Sequence, residues 1–566
     1  MILSALKVKL AALVAVAGID TSDFQNPSAE LVGTLEKLAS EQAAAQKAAQ
    51  EKASGPDVNK AFNDALSKIN ELASKNDKDA QYVLAHWGVL TGSNVNSIVE
   101  LLRKAATQGQ VVAKVELAQV LLQAFQQDLE RAREAVKLIE EAEAANNKLA
   151  RRLLANLHLN GSPNVGITQD SAKALALLEK GSTDGDGEAT LGISQIYSVG
   201  VPGIAKDDLK ALDYLKKAGE QKNAVALSQY AARLFDGDPV TGSSKPLVEK
   251  DPAKAMRLFE DAANSGFAAA NRLLGAIYEN GLGGNKQDLK KALDYYTKAA
   301  NGNDGTALFR LGNFFEVGLR NGSDEKAEVL VQPNSKSALD LYRLAAQNGS
   351  AEAFFNVGVY YETGNVVDKD LTKAFGFLMK AATNGIPQAQ HRLASLYQQG
   401  GGTNQDPVAA LSWFQRAASA GYTPSQVALG LMFENGIGLN GPNFEAAAMQ
   451  YEAAAEQGDA VALLRLATLN ERGLANIKEN KPNPNLPRAL AYADLAVDAA
   501  AQAPQAPQFA QYRDELKKRL KPEEVTEAGK IYEEYKKKNT KAPAASAPGG
   551  SGSSKGDSKK KAGRSK

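Results

Sequence analysis

The chain has 566 residues, of which 44% are hydrophobic and 6% aromatic, and 66 Lys+Arg against 65 Asp+Glu give a formal charge of +1. It is too long for one compact core, and its balanced charge argues against a nucleic-acid-binding surface. With no cysteine and three histidines, disulfides, zinc–thiolate sites, iron–sulfur clusters and cysteine nucleophiles are excluded, and little remains from which to build a histidine metal cluster.

In chain order, Lys7 and Lys9 precede an apolar run from Leu10 to Gly18 that contains Ala15-Val-Ala17. Basic residues, a short apolar core and an A-x-A site form the pattern of a secretory signal, so residues 1–17 are read as an export signal with a mature start near Gly18. An ordinary N-terminal helix is the alternative. The run is about half the length a spanning helix needs, and no other segment approaches that length, so no integral membrane span is expected. Residues 18–60 form an Ala/Gln-rich helical lead-in, interrupted by Gly55-Pro56.

From residue 80 the chain repeats. A small residue, followed four and five positions later by an apolar and a small one, recurs at Ala80, Ala113, Ala150, Ala189, Ala226, Ala270, Ala307, Ala353, Ala389, Ser425 and Ala462. Three copies show the pattern: Ala270 with Leu274, Gly275, Tyr278 and Gly281; Ala353 with Val357, Gly358, Tyr361 and Gly364; Ala389 with Leu393, Ala394, Tyr397 and Gly400. These offsets put small and apolar residues on one face of a helix, and the glycine suits its C-terminus. A second helix follows, opened by Asp251, Asp288 or Asp370 as an N-cap, with Pro252 or Pro407 at the first helical position. Paired bulky residues and alanines come next (Tyr295-Tyr296 and Ala299-Ala300; Trp413-Phe414 and Ala417-Ala418), and Gly266, Gly302, Gly349, Gly385, Gly421 and Gly458 close the units. Longer spacings mark insertions near Asp236–Lys250 and Arg320–Ser335. One such helix pair cannot bury its own faces, so the units must stack.

The small-x-x-x-Leu-Gly-x-x-Tyr-x-x-Gly and Asp-x-x-Lys-Ala-x-x-Tyr-Tyr-x-x-Ala-Ala-x-x-Gly patterns resemble the Sel-one-like repeat, a branch of the tetratricopeptide superfamily. The resemblance is strong over 266–458 and weaker over 80–235. It implies an all-α fold: a right-handed α-solenoid of about eleven helix-turn-helix repeats over 61–500, with C-terminal capping helices over 501–539. It also implies a non-enzymatic adaptor or scaffold that binds a protein or peptide partner on its concave face. Residues 540–566 are expected to be a disordered basic tail; from Lys541 onward they carry seven Lys/Arg and one Asp, a net +6 that leaves −5 for the rest.

No chemistry competes with this reading, and no catalytic residue, cofactor or metal site is expected. His86, His158 and His391 fall in repeats 1, 3 and 9, too far apart to cluster. Asp184-Gly-Asp186-Gly-Glu188 is similar to a calcium loop, but Ala189 stands where that loop needs glycine and Gln195 where it needs a bidentate glutamate, so it reads as a turn. The position nine after the phase residue is Glu279, Glu316, Glu362, Gln398, Glu434 and Glu471 in the last six repeats, and Val89, Leu122, Leu159, Ser198 and Phe235 in the first five. The resemblance to tetratricopeptide units implies that this position, and the one two after the phase residue that holds Phe355 and His391, line the groove; the expectation is an acidic ladder that attracts a basic partner segment, and the alternative is a solvated helix face. The export reading places the chain in a bacterial cell envelope, periplasmic or secreted. The alternative is a cytoplasmic regulatory repeat protein that controls an enzyme or secretion machine. The sequence does not indicate an oligomeric state.

Overall fold

The computed structural model describes residues 58–539 apart from 126, 239–245, 323–326 and 476–481. The export signal, most of the lead-in and the basic tail lie outside these residues. The chain divides into two compact units, residues 1–277 with 281–286, and 278–280 with 287–566.

The described residues form 25 helices, 22 of them in eleven pairs. The first helices of the pairs are Lys78–Thr91, Val111–Ala124, Lys148–Asn160, Gly187–Val199, Ala224–Asp236, Ala268–Asn280, Gly305–Val317, Ala351–Thr363, Pro387–Gln399, Thr423–Asn435 and Ala460–Glu471. The second helices are Val95–Thr107, Leu129–Ala144, Ser171–Thr183, Asp208–Glu220, Pro252–Asn264, Leu289–Asn301, Ser335–Gln347, Leu371–Thr383, Pro407–Ser419, Phe444–Glu456 and Leu486–Ala499. Every phase residue lies in a first helix and is fully buried. Helix Val58–Ser74 precedes the pairs. Helices Ala506–Lys517 and Pro522–Asn539 follow them and pack on Leu486–Ala499. The one ladder among the described residues, Leu319–Arg320 antiparallel to Val329–Val331, lies in the second insertion.

The second helices start where the sequence says. Asp251, Asp288 and Asp370 accept from the backbone N–H three residues on, at 2.9–3.0 Å, satisfying donors that a helix start leaves open. Each second helix reaches the next first helix through three residues whose middle one is left-handed (Gly109, Asn146, Gly185, Lys222, Gly266, Asn303, Gly349, Gly385, Gly421 and Gly458), and Asn76 plays the same part between helix Val58–Ser74 and the first pair. In the sixth repeat that residue is Asn303 (φ 60°) and not Gly302 (φ −85°), so the closing glycine expected there sits one position early. The calcium-like segment is such a turn. Asp184 ends helix Ser171–Thr183 and pairs with Arg151 at 2.6 Å, and Asp186 caps helix Gly187–Val199.

Alanines, leucines and single aromatic rings alternate through the core. In the first unit one cluster runs from Ala65 through Leu102, Leu121 and Ile139 to Leu154. In the second unit clusters form around Tyr342, Leu378, Phe414 and Tyr451. Of the sequence-marked phenylalanines, Phe314 is buried, while Phe309, Phe315, Phe354, Phe355 and Phe377 are half-buried against these cores.

Candidate protein-binding face

The glutamates nine positions after the phase residue end the first helices. Their carboxylates are already engaged. Glu279 accepts the Tyr296 hydroxyl at 2.7 Å, Glu434 that of Tyr451 at 2.8 Å and Glu471 that of Tyr512 at 2.7 Å, while Glu316 takes the Tyr360 hydroxyl. Arginines from the following repeat or turn complete the rungs. Arg310 bonds Glu279, Arg392 bonds Glu362 at 2.8 Å, and Arg519 bonds Glu471. Arg465 and Arg472 stand 3.9 and 3.8 Å from Glu434. Burial, with the acceptor carboxylate beside it, pushes the Tyr296, Tyr451 and Tyr512 hydroxyls far above the usual tyrosine range, so they stay protonated and donate. Burial raises the Glu471 carboxyl, but Tyr512 and Arg519 together hold it below its ordinary value.

Two of these contacts join the two helices of one pair. In the sixth and tenth repeats the residue eight after the second-helix cap reaches the last turn of the first helix. Where it is Tyr296 or Tyr451, a glutamate takes its hydroxyl, and in the ninth repeat it is Phe414 and the ladder position is Gln398; in the seventh, however, Tyr342 bonds Asn313, and in the eighth it is Leu378 although the ladder position is Glu362. In the first unit the residues eight after the cap are Leu102, Val136, Leu178, Leu215 and Phe259, all apolar and buried, in repeats whose ladder positions are Val89, Leu122, Leu159, Ser198 and Phe235. The ladder is therefore also a packing device. Neither the tyrosines that hold the glutamates nor the arginines three after the phase residue (Arg310, Arg392 and Arg465) follow from the acidic pattern in the sequence.

The other marked residues are dispersed along the second unit. Gln398 lends its backbone carbonyl to Gln405 at 2.8 Å. Phe355 is half-buried with the Arg392 guanidinium 6.0 Å from its ring centre. His391 meets the fully buried Ser425 hydroxyl at 2.9 Å, between the edges of Phe414 and Tyr422. In the first unit, His86 contacts Glu116 at 2.9 Å and His158 is buried. Among the described residues no group of three or more His, Asp or Glu could hold a metal ion, and no helix is long and apolar enough to cross a membrane.

Two predictions follow from these contacts. Tyr451→Phe keeps the ring and removes the donor to a sheltered carboxylate, so chemical denaturation is expected to show a loss of about 1.5–3 kcal/mol; an unchanged midpoint would mean the rung holds nothing. For His391, burial and then the neighbouring Arg392 charge depress the ring to about 4. The unfolded chain, with an ordinary value near ~6.5, takes up a proton that the folded chain refuses. Stability contributed by neutral His391 is thus present above the unfolded value and lost as pH falls toward 4. Urea titrations of wild type and His391→Asn over that interval should show the steeper decline in wild type; parallel curves would refute the assignment.

Comparison with known proteins places the geometry. The pattern described as Sel1 repeat matches residues 144–186, 187–223, 224–267, 268–304, 306–350, 351–386, 387–422 and 423–459, more than half of the chain and well into the stretch where glycines and aromatics thin out. Chitin synthase regulatory factor 3 of Schizosaccharomyces pombe is 26% identical over 155 residues, 27% of this chain and 16% of that protein. Chitin synthase regulator SKT5 of Saccharomyces cerevisiae is 28% identical over 179 residues, 31% of this chain and 25% of that protein. The matched region thus spans a quarter or less of either relative. A solved protective antigen of uropathogenic Escherichia coli with an SLR fold shares 22% identity and a TM-score of 0.52, covering 86% of this chain and 99% of its own, a likeness of fold. By eight matched repeats and the helix pairs that carry them, the chain belongs to the Sel1 repeat proteins and is built as an α-solenoid.

Proposed function

We propose that this chain is a non-catalytic regulatory repeat protein that binds and controls an enzyme or a secretion machine from the cytoplasmic side. The observation that carries this reading is its similarity, within the repeat family, to two proteins described as regulators of an enzyme. A cell-envelope location, expected from the N-terminal segment, finds no support among these relatives. The binding surface is assigned to the face carried by the first helices, which includes Glu279, Glu316, Phe355, Glu362, His391, Gln398, Glu434 and Glu471. Because the glutamates hold tyrosines and arginines, replacing all five by glutamine is expected to loosen the second unit as well as alter binding, so a folded control must accompany it.

The test is affinity capture of the full chain from its native host, followed by activity measurements on the captured enzyme with and without the chain. Activity that follows the added chain supports the proposal. A captured assembly whose activity ignores the chain, or turnover by the purified chain itself, refutes it. N-terminal sequencing of the native protein separates the locations: Met1 or Ile2 fits a retained chain, and a start near Gly18 fits export.

A further inference from the structure

The rungs of the second unit have a sheltered end and an open end. In the Glu–Arg pairs of this face the glutamate side chain is the sheltered member, 9–21% exposed, and the arginine side chain is the open one, 37–58% exposed. The exposed ends of the rungs therefore form a row of arginines, and the acidic ladder read from the sequence stands behind it. A guanidinium carries five N–H donors in a fork that fits carboxylates. Arg310 and Arg392 each give one N–H to the glutamate behind, and Arg465 and Arg472 stand beyond hydrogen-bonding range of Glu434. Aromatic rings hold two of these groups in place: the Arg310 guanidinium lies 5.6 Å from the Phe314 ring centre and that of Arg392 6.0 Å from Phe355. Groups positioned in advance lose little freedom on binding.

We propose that this face binds an extended acidic segment of the partner protein, whose carboxylates take the open donors of Arg310, Arg392, Arg465 and Arg472. The inference rests on the regulatory binding role proposed above and gives its partner a chemistry. A basic segment would meet guanidinium charge first, and would reach a carboxylate only by displacing an arginine and competing with a tyrosine hydroxyl. An acidic segment adds to the rung without breaking it. The charges of the rungs nearly cancel, so recognition is short-range, through paired hydrogen bonds more than a long-range field.

The experiment uses the full chain with three fluorescent peptides of equal length, alternating Glu/Ser, Gln/Ser and Lys/Ser. Anisotropy gives affinity and hydrogen exchange gives location. The Glu/Ser peptide should bind tightest and protect helices Gly305–Val317, Pro387–Gln399 and Ala460–Glu471. The combined Arg310→Lys, Arg392→Lys and Arg465→Lys variant keeps the charge but loses the fork, and should weaken that binding about tenfold. If the variant does not fold, the wild-type protection map decides. Protection confined to residues 58–277 or to helix Pro522–Asn539 overturns the proposal, and so does tighter binding of the Lys/Ser peptide. A captured host partner that binds the folded triple variant at full strength overturns the acidic segment and leaves the regulatory role standing. Glu/Ser binding on these helices, with host capture yielding an enzyme indifferent to the chain, supports the surface and overturns the role.

Discussion

Leu274→Asp is expected to cost the first unit about 3 kcal/mol or more. Leu274 is fully buried in helix Ala268–Asn280, four residues after the fully buried Ala270. Truncating a leucine at such a site to alanine already costs about 2–5 kcal/mol, because the cavity only partly closes. Aspartate of similar length adds a carboxylate that must either shed its charge or draw water into an alanine-packed layer. Repeat proteins share their core between neighbours, so the loss should spread from the altered helix into adjoining pairs and not unfold the chain in one step. Hydrogen exchange should show it first in helices Ala224–Asp236, Pro252–Asn264 and Ala268–Asn280. Val199→Asp, at an exposed position of helix Gly187–Val199, is the matched control and should change stability by less than about 0.5 kcal/mol. Equal melts for the two variants would show that the core has been misplaced.

Gly430→Ala should destabilise the second unit by about 1–3 kcal/mol, although alanine is the better helix former by roughly 1 kcal/mol. Gly430 lies inside helix Thr423–Asn435, and a Cβ there would stand 2.5 Å from the Tyr451 ring. That ring is fully buried and its hydroxyl is tied to Glu434, so it cannot swing aside. Gly312 meets Tyr342 at the same 2.5 Å. Gly376→Ala makes the opposite prediction. This glycine is exposed in helix Leu371–Thr383 with nothing within 4 Å of an added Cβ, so alanine should stabilise by up to about 1 kcal/mol. A double-mutant cycle with Tyr451→Leu tests the cause. If the ring is the obstacle, Gly430→Ala becomes less harmful once the ring is gone. An unchanged cost in that background would point to some other contact.

These two glycines show what the sequence made legible. The spacing of Ala, Leu and Gly identified the helix pairs and their buried faces, because burial on a helix imposes a period that survives substitution. It also marked the position after the leucine as small so that a neighbour could approach. Which neighbour fills the gap depends on a residue in the second helix of the pair, well downstream: Tyr342 for Gly312, Leu378 for Gly358 and Tyr451 for Gly430. The glutamates are equally visible as a pattern, which the sequence presents as an acidic ladder or a solvated helix face. Two of them take a tyrosine of their own repeat, Glu279 with Tyr296 and Glu434 with Tyr451, while Glu316 and Glu471 take one from further along the chain, Tyr360 and Tyr512. The arginines of the rungs come from the next repeat and return only in every second one, Arg310, Arg392 and Arg465 alternating with Asn356 and Ala428, so a pattern sought repeat by repeat does not display them. Sequence periodicity therefore reported the scaffold well and the polar cross-links poorly.

The connections between helices also bear on how the chain tolerates change. From each second helix to the next first helix there are always three residues, whereas the turn within a pair ranges from three residues at 92–94 to seventeen at 318–334. The left-handed residue of the short link sets one repeat's offset from the next, so an added residue there would shift a whole layer of buried alanines. The turn within a pair bears no such duty and has absorbed every long insertion. A fluorescent tag, a protease site or a new pair of termini should therefore be accepted at 318–334 or 237–251 and rejected at 348–350 or 384–386. That asymmetry gives a practical map for dissecting the protein without dismantling it.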